Sequence, residues 1–557
     1  MKRTAIRAYC SPTLVLLALD WADGDRDDFL GFAIERTPGM RPSLNEPQAP
    51  KGWLPNRVGF EGPPADGQAD FPSNTNPIQK FQWWDARIDD PDRGATFTYK
   101  VWPVVGDPDS PTLVDGAASS IQVRIPKTTE NDIGTYFNRA VVSSQAFAKE
   151  FGSEELDEAT LERALKWLAN GLETVIPEFL EGARGVDGAI YHLTDRHWVV
   201  PAIESFDAPL SIVYNSTSRD DGNADVVDEL SKGRRTFAPR TRANIMHNKF
   251  LVRMKDRNTG TAVLTGSANF TTEGLSTQAN VLHTFASPNL AKLFLERKEL
   301  LEDDPTIAQT ARDAGWSKRI RVGDAKVRVF FPPEPKGDRE SLDVVVDAVR
   351  NAKSSVLFCL FSPTDADLRE ACFDAGDEGK MMFGLVNTIS DEEPDDERTD
   401  TASRAKVEIY HRSRDNRDVF AHDLFPRDSR PEGFWWETRT LPGSAGRFPV
   451  FIHHKFVVID AETKSPTIFT GSANMSGNAL YRNDENLLEI TECPRLAAIY
   501  LAEFMRLYEH YRARATWNRY MRGRVRTYTL SRDARWTGKA YKKGTPEWRA
   551  RVAMAKR

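Results

Sequence analysis

His453-His454-Lys455-Phe456-Val457-Val458-Ile459-Asp460, followed by Thr470-Gly471-Ser472-Ala473-Asn474, is a phrase that the chain carries twice. The earlier copy reads His247-Asn248-Lys249-Phe250-Leu251-Val252, then Thr265-Gly266-Ser267-Ala268-Asn269. In each, a His and a Lys stand two apart at the start of an apolar run. Residues two apart on a β-strand point to the same face. His247 with Lys249, and His453 with Lys455, are therefore expected to face one site each. A second apolar strand (262–265; 467–470) then delivers the Gly-Ser-Ala-Asn turn, with Ser267 and Asn269 or Ser472 and Asn474. The interval from His to Asn is 22 residues in the first copy and 21 in the second.

These residue types suit phosphoryl transfer at a diester. One imidazole can attack phosphorus and the other can protonate the leaving oxygen. Two Lys and two Asn can hold the non-bridging oxygens and stabilise the charge that develops there. Two copies supply the full set, and neither supplies it alone. A single His-x-Lys arises often by chance; two copies at matched distance from Gly-Ser-Ala-Asn do not.

The pattern His-x-Lys-(four residues)-Asp followed by Gly-Ser-x-Asn resembles the signature of the phospholipase D superfamily. The second copy matches throughout, to Asp460, Gly471, Ser472 and Asn474. The first departs, with Met254 at the position of Asp460 and an acid only at Asp256. In the family that Asp is structural. The resemblance also implies an acid or amide about eleven residues past the Asn, set against the rear nitrogen of a catalytic His to fix its tautomer. Glu485 stands there in copy two and Asn280 in copy one, with Gln278 a second candidate for copy one. The resemblance implies a pseudo-twofold duplicated α-β-α fold with both motifs in one cleft, and His247 as the nucleophile.

At 557 residues the chain exceeds one core, and several domains are expected. Residues 1–127 alternate apolar and polar positions between turn signals, which predicts a small all-β, sandwich-like domain. From 128 the pattern becomes α/β. A helix through Leu161, Leu165, Leu168, Leu172 and Ile176, a strand over 189–194, a short helix and a strand over 210–214 lead to the first motif. Another round of the same elements leads to the second, with an insertion of about 35 residues. The expected units are a first half over 128–320, a second half over 321–520, and a basic tail over 521–557.

No apolar run reaches the length of a membrane span. The start, Met1-Lys2-Arg3, is followed by too short an apolar stretch for a signal peptide, so a soluble or cytoplasmic protein is expected. Four Cys without metal spacing read as incidental thiols. The other His residues repeat no geometry with a carboxylate or Cys, and no metal or cofactor is expected. His454 should face away from His453.

Two features leave alternatives open. Phe434-Trp435-Trp436 suits a lipid or base contact as well as a core, and an acidic loop over 391–397 reads as solvated. From Arg512 onward fifteen Lys or Arg face only Asp533 and Glu547, with aromatics interleaved. Such a tail can bind nucleic acid or an anionic membrane, or wrap its own acidic body. The reading is a monomeric phosphodiesterase acting on phospholipid headgroups. A nuclease is the alternative, and a non-catalytic scaffold the second. His247, Lys249, Asn269, His453, Lys455, Asn474 and Glu485 carry the chemistry, with Ser267, Ser472 and Asn280 as substrate-binding residues.

Overall fold

The computed structural model describes the chain apart from residues 1–2, 23, 25, 42–45, 66–67, 141–146, 148–149, 152–155, 218–221, 313, 389–405, 422–450, 522–528 and 557, and the side chains of 421 and 517–521. The acidic loop and Phe434-Trp435-Trp436 lie outside the described residues.

Two large mixed sheets dominate. In the first, the spatial order is Ile133–Phe137, Val281–Phe285, Thr259–Gly266, Lys249–Asp256, Val186–Ile190, Leu210–Asn215, Arg235–Arg240. In the second it is Ala325–Phe330, Leu487–Thr491, Thr467–Gly471, Lys455–Ile459, Ser355–Phe361, Met381–Thr388, Lys406–Tyr410, with Arg417–Ala421 beyond. A short strand lies outside the first one named in each sheet, Thr129–Glu130 and Ile320–Val322; position by position the order is the same, and the His-x-Lys strand is fifth in both. The last pair differs. Leu210–Asn215 and Arg235–Arg240 are parallel, because the helix Asn223–Leu230 carries the chain back. Met381–Thr388 and Lys406–Tyr410 are antiparallel.

Each sheet is followed by a long helix that opens on a proline, Pro288–Glu302 and Pro494–Met521. Proline suits a helix start because the N–H it lacks would have no partner there. Phe250 and Val252 of the first sheet, Phe456 and Val458 of the second, Phe294 of one helix and Tyr500 and Phe504 of the other share one buried core. The halves are thus welded by apolar burial, the dominant favourable term in folding.

The N-terminal region is all β, as the alternation predicts. Its three-stranded sheet (Ala5–Cys10, Val15–Asp20, Gln82–Asp85) and five-stranded sheet enclose a core of their own. Inside it the Arg36 guanidinium meets the Asp85 carboxylate at 2.8 Å, both fully buried. Its last long strand ends at Arg124, and the first half's sheet begins at Thr129.

The single helix expected through Leu161–Ile176 is two, Glu158–Ala169 and Leu172–Leu180. Asn170 and Gly171 between them take positive φ, 51° and 105°. The left-handed region suits Asn and Gly, and it ends a helix even where the apolar spacing runs on.

Candidate active site

Backbone hydrogen bonds first bring the two motifs together. The His247 N–H donates to the Asp484 carbonyl at 2.9 Å, and the His453 N–H donates to the Ala279 carbonyl at 3.0 Å. Each motif's histidine segment thus pairs with the residue just before the other half's acid or amide. Short parallel bridges, Met246 with Asp484 and Ala279 with Ile452, hold both junctions. Asn215 and Asn387, each at the end of its strand, cap these segments. The Asn215 Oδ1 accepts from Met246 N at 2.9 Å, and Asn387 Oδ1 accepts from Phe451 and Ile452 N, each at 3.2 Å.

The groups behind the imidazoles are exchanged relative to the expectation. Glu485, eleven residues past the second Asn, lies against the first histidine: His247 Nδ1 to Glu485 Oε2 is 2.7 Å. Asn280, expected to serve copy one, lies against the second: His453 Nδ1 to Asn280 Oδ1 is 2.9 Å. All four are buried. The junctions above are the cause, since each half's backing residue is delivered to the other half's histidine. Gln278 meets Asn138 and Asn280 through its main-chain carbonyl.

The serines act one step further back than expected. Ser267 Oγ donates to Asn280 Oδ1 at 2.8 Å, and Ser472 Oγ donates to Glu485 Oε2 at 2.7 Å. Each hydroxyl in turn accepts a backbone N–H, from Val281 at 3.1 Å and Asn486 at 2.9 Å. They hold the groups that hold the imidazoles.

Lys249 Nζ donates to the His247 carbonyl at 2.8 Å, and Lys455 Nζ to the His453 carbonyl at 3.0 Å. Lys455 Nζ also lies 3.1 Å from His453 Nε2. Each ammonium sits over a ring, Tyr191 at 4.9 Å and Phe361 at 5.0 Å. The same rings flank the histidines, with centroids 5.0 Å and 5.1 Å away. Tyr191 and Phe361 are site residues that the motif reading missed. The signal was their matched place, directly after or at the end of the strand beside each His-x-Lys strand.

Asn269 and Asn474 are both buried. Among the described residues the Asn474 side-chain amide makes no hydrogen bond through either its oxygen or its nitrogen. A buried amide left so carries a cost of about 1–3 kcal/mol that a substrate oxygen would relieve.

Asp460 is structural. Its carboxylate accepts from the N–H groups of Lys353, Ser354 and Ser355 at 2.7–3.1 Å. In copy one Met254 is buried, and its own N–H donates to the Gly185 carbonyl at 2.9 Å. His454 does face away, packed on Phe137 and Phe456, and burial pushes its pKa well below the usual imidazole value. Burial likewise pushes the Cys493 thiol up to about 11 and the Cys10 thiol up to about 12.

Residues 345–508 match the family model described as "Cardiolipin synthase, PLD-like domain". The second half of the chain therefore carries a phospholipase D-like domain of the phospholipase D superfamily. No curated protein matches the chain. Solved structures similar to it include a polyphosphate kinase from Porphyromonas gingivalis, 12% identical over 58% of this chain, with TM-score 0.35. The chain spans 42% of that kinase's length. A phosphatidylserine synthase from Haemophilus influenzae Rd KW20 is 12% identical over 61% of this chain and 84% of its own, with TM-score 0.40. The phospholipase D family member Nuc from Salmonella typhimurium is 20% identical over 24% of this chain and 86% of its own, with TM-score 0.20.

Proposed function

We propose that the chain is a phosphodiesterase that cleaves phospholipid headgroup diesters through a phosphohistidine on His247. The observation that carries this is the crossed pair of backing groups, a carboxylate behind His247 and a neutral amide behind His453. When His247 Nε2 bonds to phosphorus, its ring becomes a cation, and the Glu485 carboxylate at Nδ1 balances it. His453 gives its proton to the departing oxygen as the P–O bond breaks. Its neutral partner Asn280 fixes the ring without holding that charge. The freed His453 Nε2 then takes a proton from water or an alcohol, whose oxygen attacks phosphorus. The P–N bond breaks and His247 returns to neutral. Lys249, Lys455, Asn269 and Asn474 bind the phosphoryl oxygens, and the positive charge required is already in the protein.

The lipid reading rests on the matched model, whose printed name is that of a phospholipid-forming enzyme. The nucleic-acid reading leaned on the basic tail, and much of that tail is engaged with the body. The Trp536 ring stacks on Phe81 with centroids 5.2 Å apart, and its Nε1–H donates to the Phe29 carbonyl at 2.8 Å. Arg551 pairs with Asp20 at 2.6 Å, and Arg532 with Glu61 and Asp109.

The test is incubation with dispersed phosphatidylcholine and ethanol in excess EDTA. Free choline and phosphatidylethanol are expected from the wild type and not from His247→Ala or His453→Ala. Cleavage of single-stranded DNA with no product from lipid would replace the lipid reading with the nuclease one.

A further inference from the structure

A cavity of about 510 Å³ opens in the second half, where the strand that carries Phe361 beside His453 ends. The parallel strands Ser355–Phe361 and Met381–Thr388 end together here. Phe361 flanks His453, and the next residues, Ser362, Pro363 and Thr364, line the cavity. Asn387 caps the His453 segment, and its neighbour Thr388 lines the cavity too. In open α/β sheets, ligands sit at the carboxyl ends of parallel strands. The floor is apolar and aromatic, with Phe358, Phe373 and Tyr410 buried together.

Arg369, Lys406, Arg414 and Arg417 also line the cavity, with one carboxylate, Glu408. Buried Glu408 holds Lys406 and Arg417, each at 3.3 Å, and accepts the Tyr410 hydroxyl. Glu370 pairs with Arg414. Among the described residues Arg369 has no ion pair. Four cations against two carboxylates leave two positive charges over an apolar floor. Among the described residues the first half shows no such array at the matching place. Its helix Val199–Glu204 carries no cation, and Arg235 spends its guanidinium on the carbonyls of Leu230, Ile203 and Glu204.

We propose that this cavity binds a second phosphoryl group of the substrate. Arginine forks match phosphate oxygens two at a time, and the net charge of the array matches a phosphate dianion. The aromatic floor covers the carbon skeleton that joins the two phosphates. The inference rests on the diesterase reading for its first phosphate, and narrows the substrate to diesters that carry another phosphate on one side.

The test uses the full-length protein turning over bis(p-nitrophenyl) phosphate. Inhibition constants are measured for propyl phosphate against propane-1,3-diyl bisphosphate, and for thymidine 5′-phosphate against thymidine 3′,5′-bisphosphate. In the wild type the bisphosphate of at least one pair should bind about tenfold tighter than its monophosphate, as expected for one charge-assisted bidentate contact. The better pair tells a glycerol-like skeleton from a nucleoside. In Arg369→Gln/Arg417→Gln the ratio should fall toward one. In Lys353→Gln/Lys380→Gln, which removes two charges at the opposite ends of the same strands, it should hold. A wild-type ratio near one for both pairs, or a ratio that survives loss of the two arginines, would overturn the proposal. Calorimetric binding to His247→Ala separates the two readings: an arginine-dependent bisphosphate preference there supports the cavity whether or not the wild type cleaves the diester, and its absence counts against it.

Discussion

Glu485 is a carboxylate and Asn280 a neutral amide one methylene shorter, and in the proposed mechanism that difference divides the labour between two otherwise matched histidines. Glu485→Gln keeps the shape but removes the charge that balances a phosphorylated His247. Turnover should fall about 100-fold, the scale of a modest loss of catalytic alignment, with KM little changed. Asn280→Asp places a carboxylate behind His453, favours its protonated form and should make it a more reluctant acid, so the falling limb of the pH–rate profile moves to higher pH while the protein stays folded. Steady-state kinetics over pH check both. Equal effects of the two substitutions on every parameter would argue against distinct roles. At this scale the sequence was legible where chemistry needs a fixed spacing: His-x-Lys, Gly-Ser-x-Asn and the residue eleven further on. The partner exchange was not legible. It depends on which chain segments pair across the junction at Met246 and Asp484, and spacing along one chain carries no such information.

The elements around the site are locked by a buried ion cluster that no motif announced. Asp484, next to Glu485, accepts from Arg240 Nε at 2.8 Å and from Arg297 at 3.2 Å. Arg240 also reaches Asp304 at 2.7 Å. Arg240 comes from the last strand of the first sheet and Arg297 from its long helix, so the cluster ties both to the second half. Asp484→Ala leaves two buried guanidinium groups short of a partner and should cost about 3–5 kcal/mol in chemical denaturation. A loss below 1 kcal/mol would mean water reaches the site. A second element-scale device is His283, whose Nε2 meets the Tyr500 hydroxyl of the other half's helix at 2.8 Å. Burial pushes its pKa down to about 4, from an ordinary value of 6.5. Between those values the unfolded chain binds the proton and the folded one does not, so stability falls as pH drops through that window. The loss approaches about 3 kcal/mol by pH 4. Denaturant midpoints at pH 7 and pH 5 should differ in that direction, and the difference should shrink in His283→Gln. Strand and helix order was readable from periodicity. The break at Asn170-Gly171 was not, because apolar spacing continues through it while the backbone reverses hand.

Across the whole molecule, the chain's two ends meet. The Tyr9 hydroxyl donates to the Met554 carbonyl at 2.8 Å, and Trp536 stacks into the N-terminal core. Composition marked the tail as basic and aromatic, but its partner is surface created only by folding, over 400 residues away in sequence. Trp536→Ala should lower stability by about 2 kcal/mol through lost apolar contact, and should leave turnover by the distant histidines intact. A turnover loss without a stability loss would instead put the tail at the active site. The covalent step can be trapped when the second histidine is removed. His453→Ala, mixed with bis(p-nitrophenyl) phosphate, whose leaving group needs no acid, should release p-nitrophenol once and then stall. Intact-mass and peptide mass spectrometry should find one p-nitrophenyl phosphoryl adduct, on His247, and none in His247→Ala. An adduct on another residue, or full turnover of His453→Ala with no adduct at any time, would contradict the account.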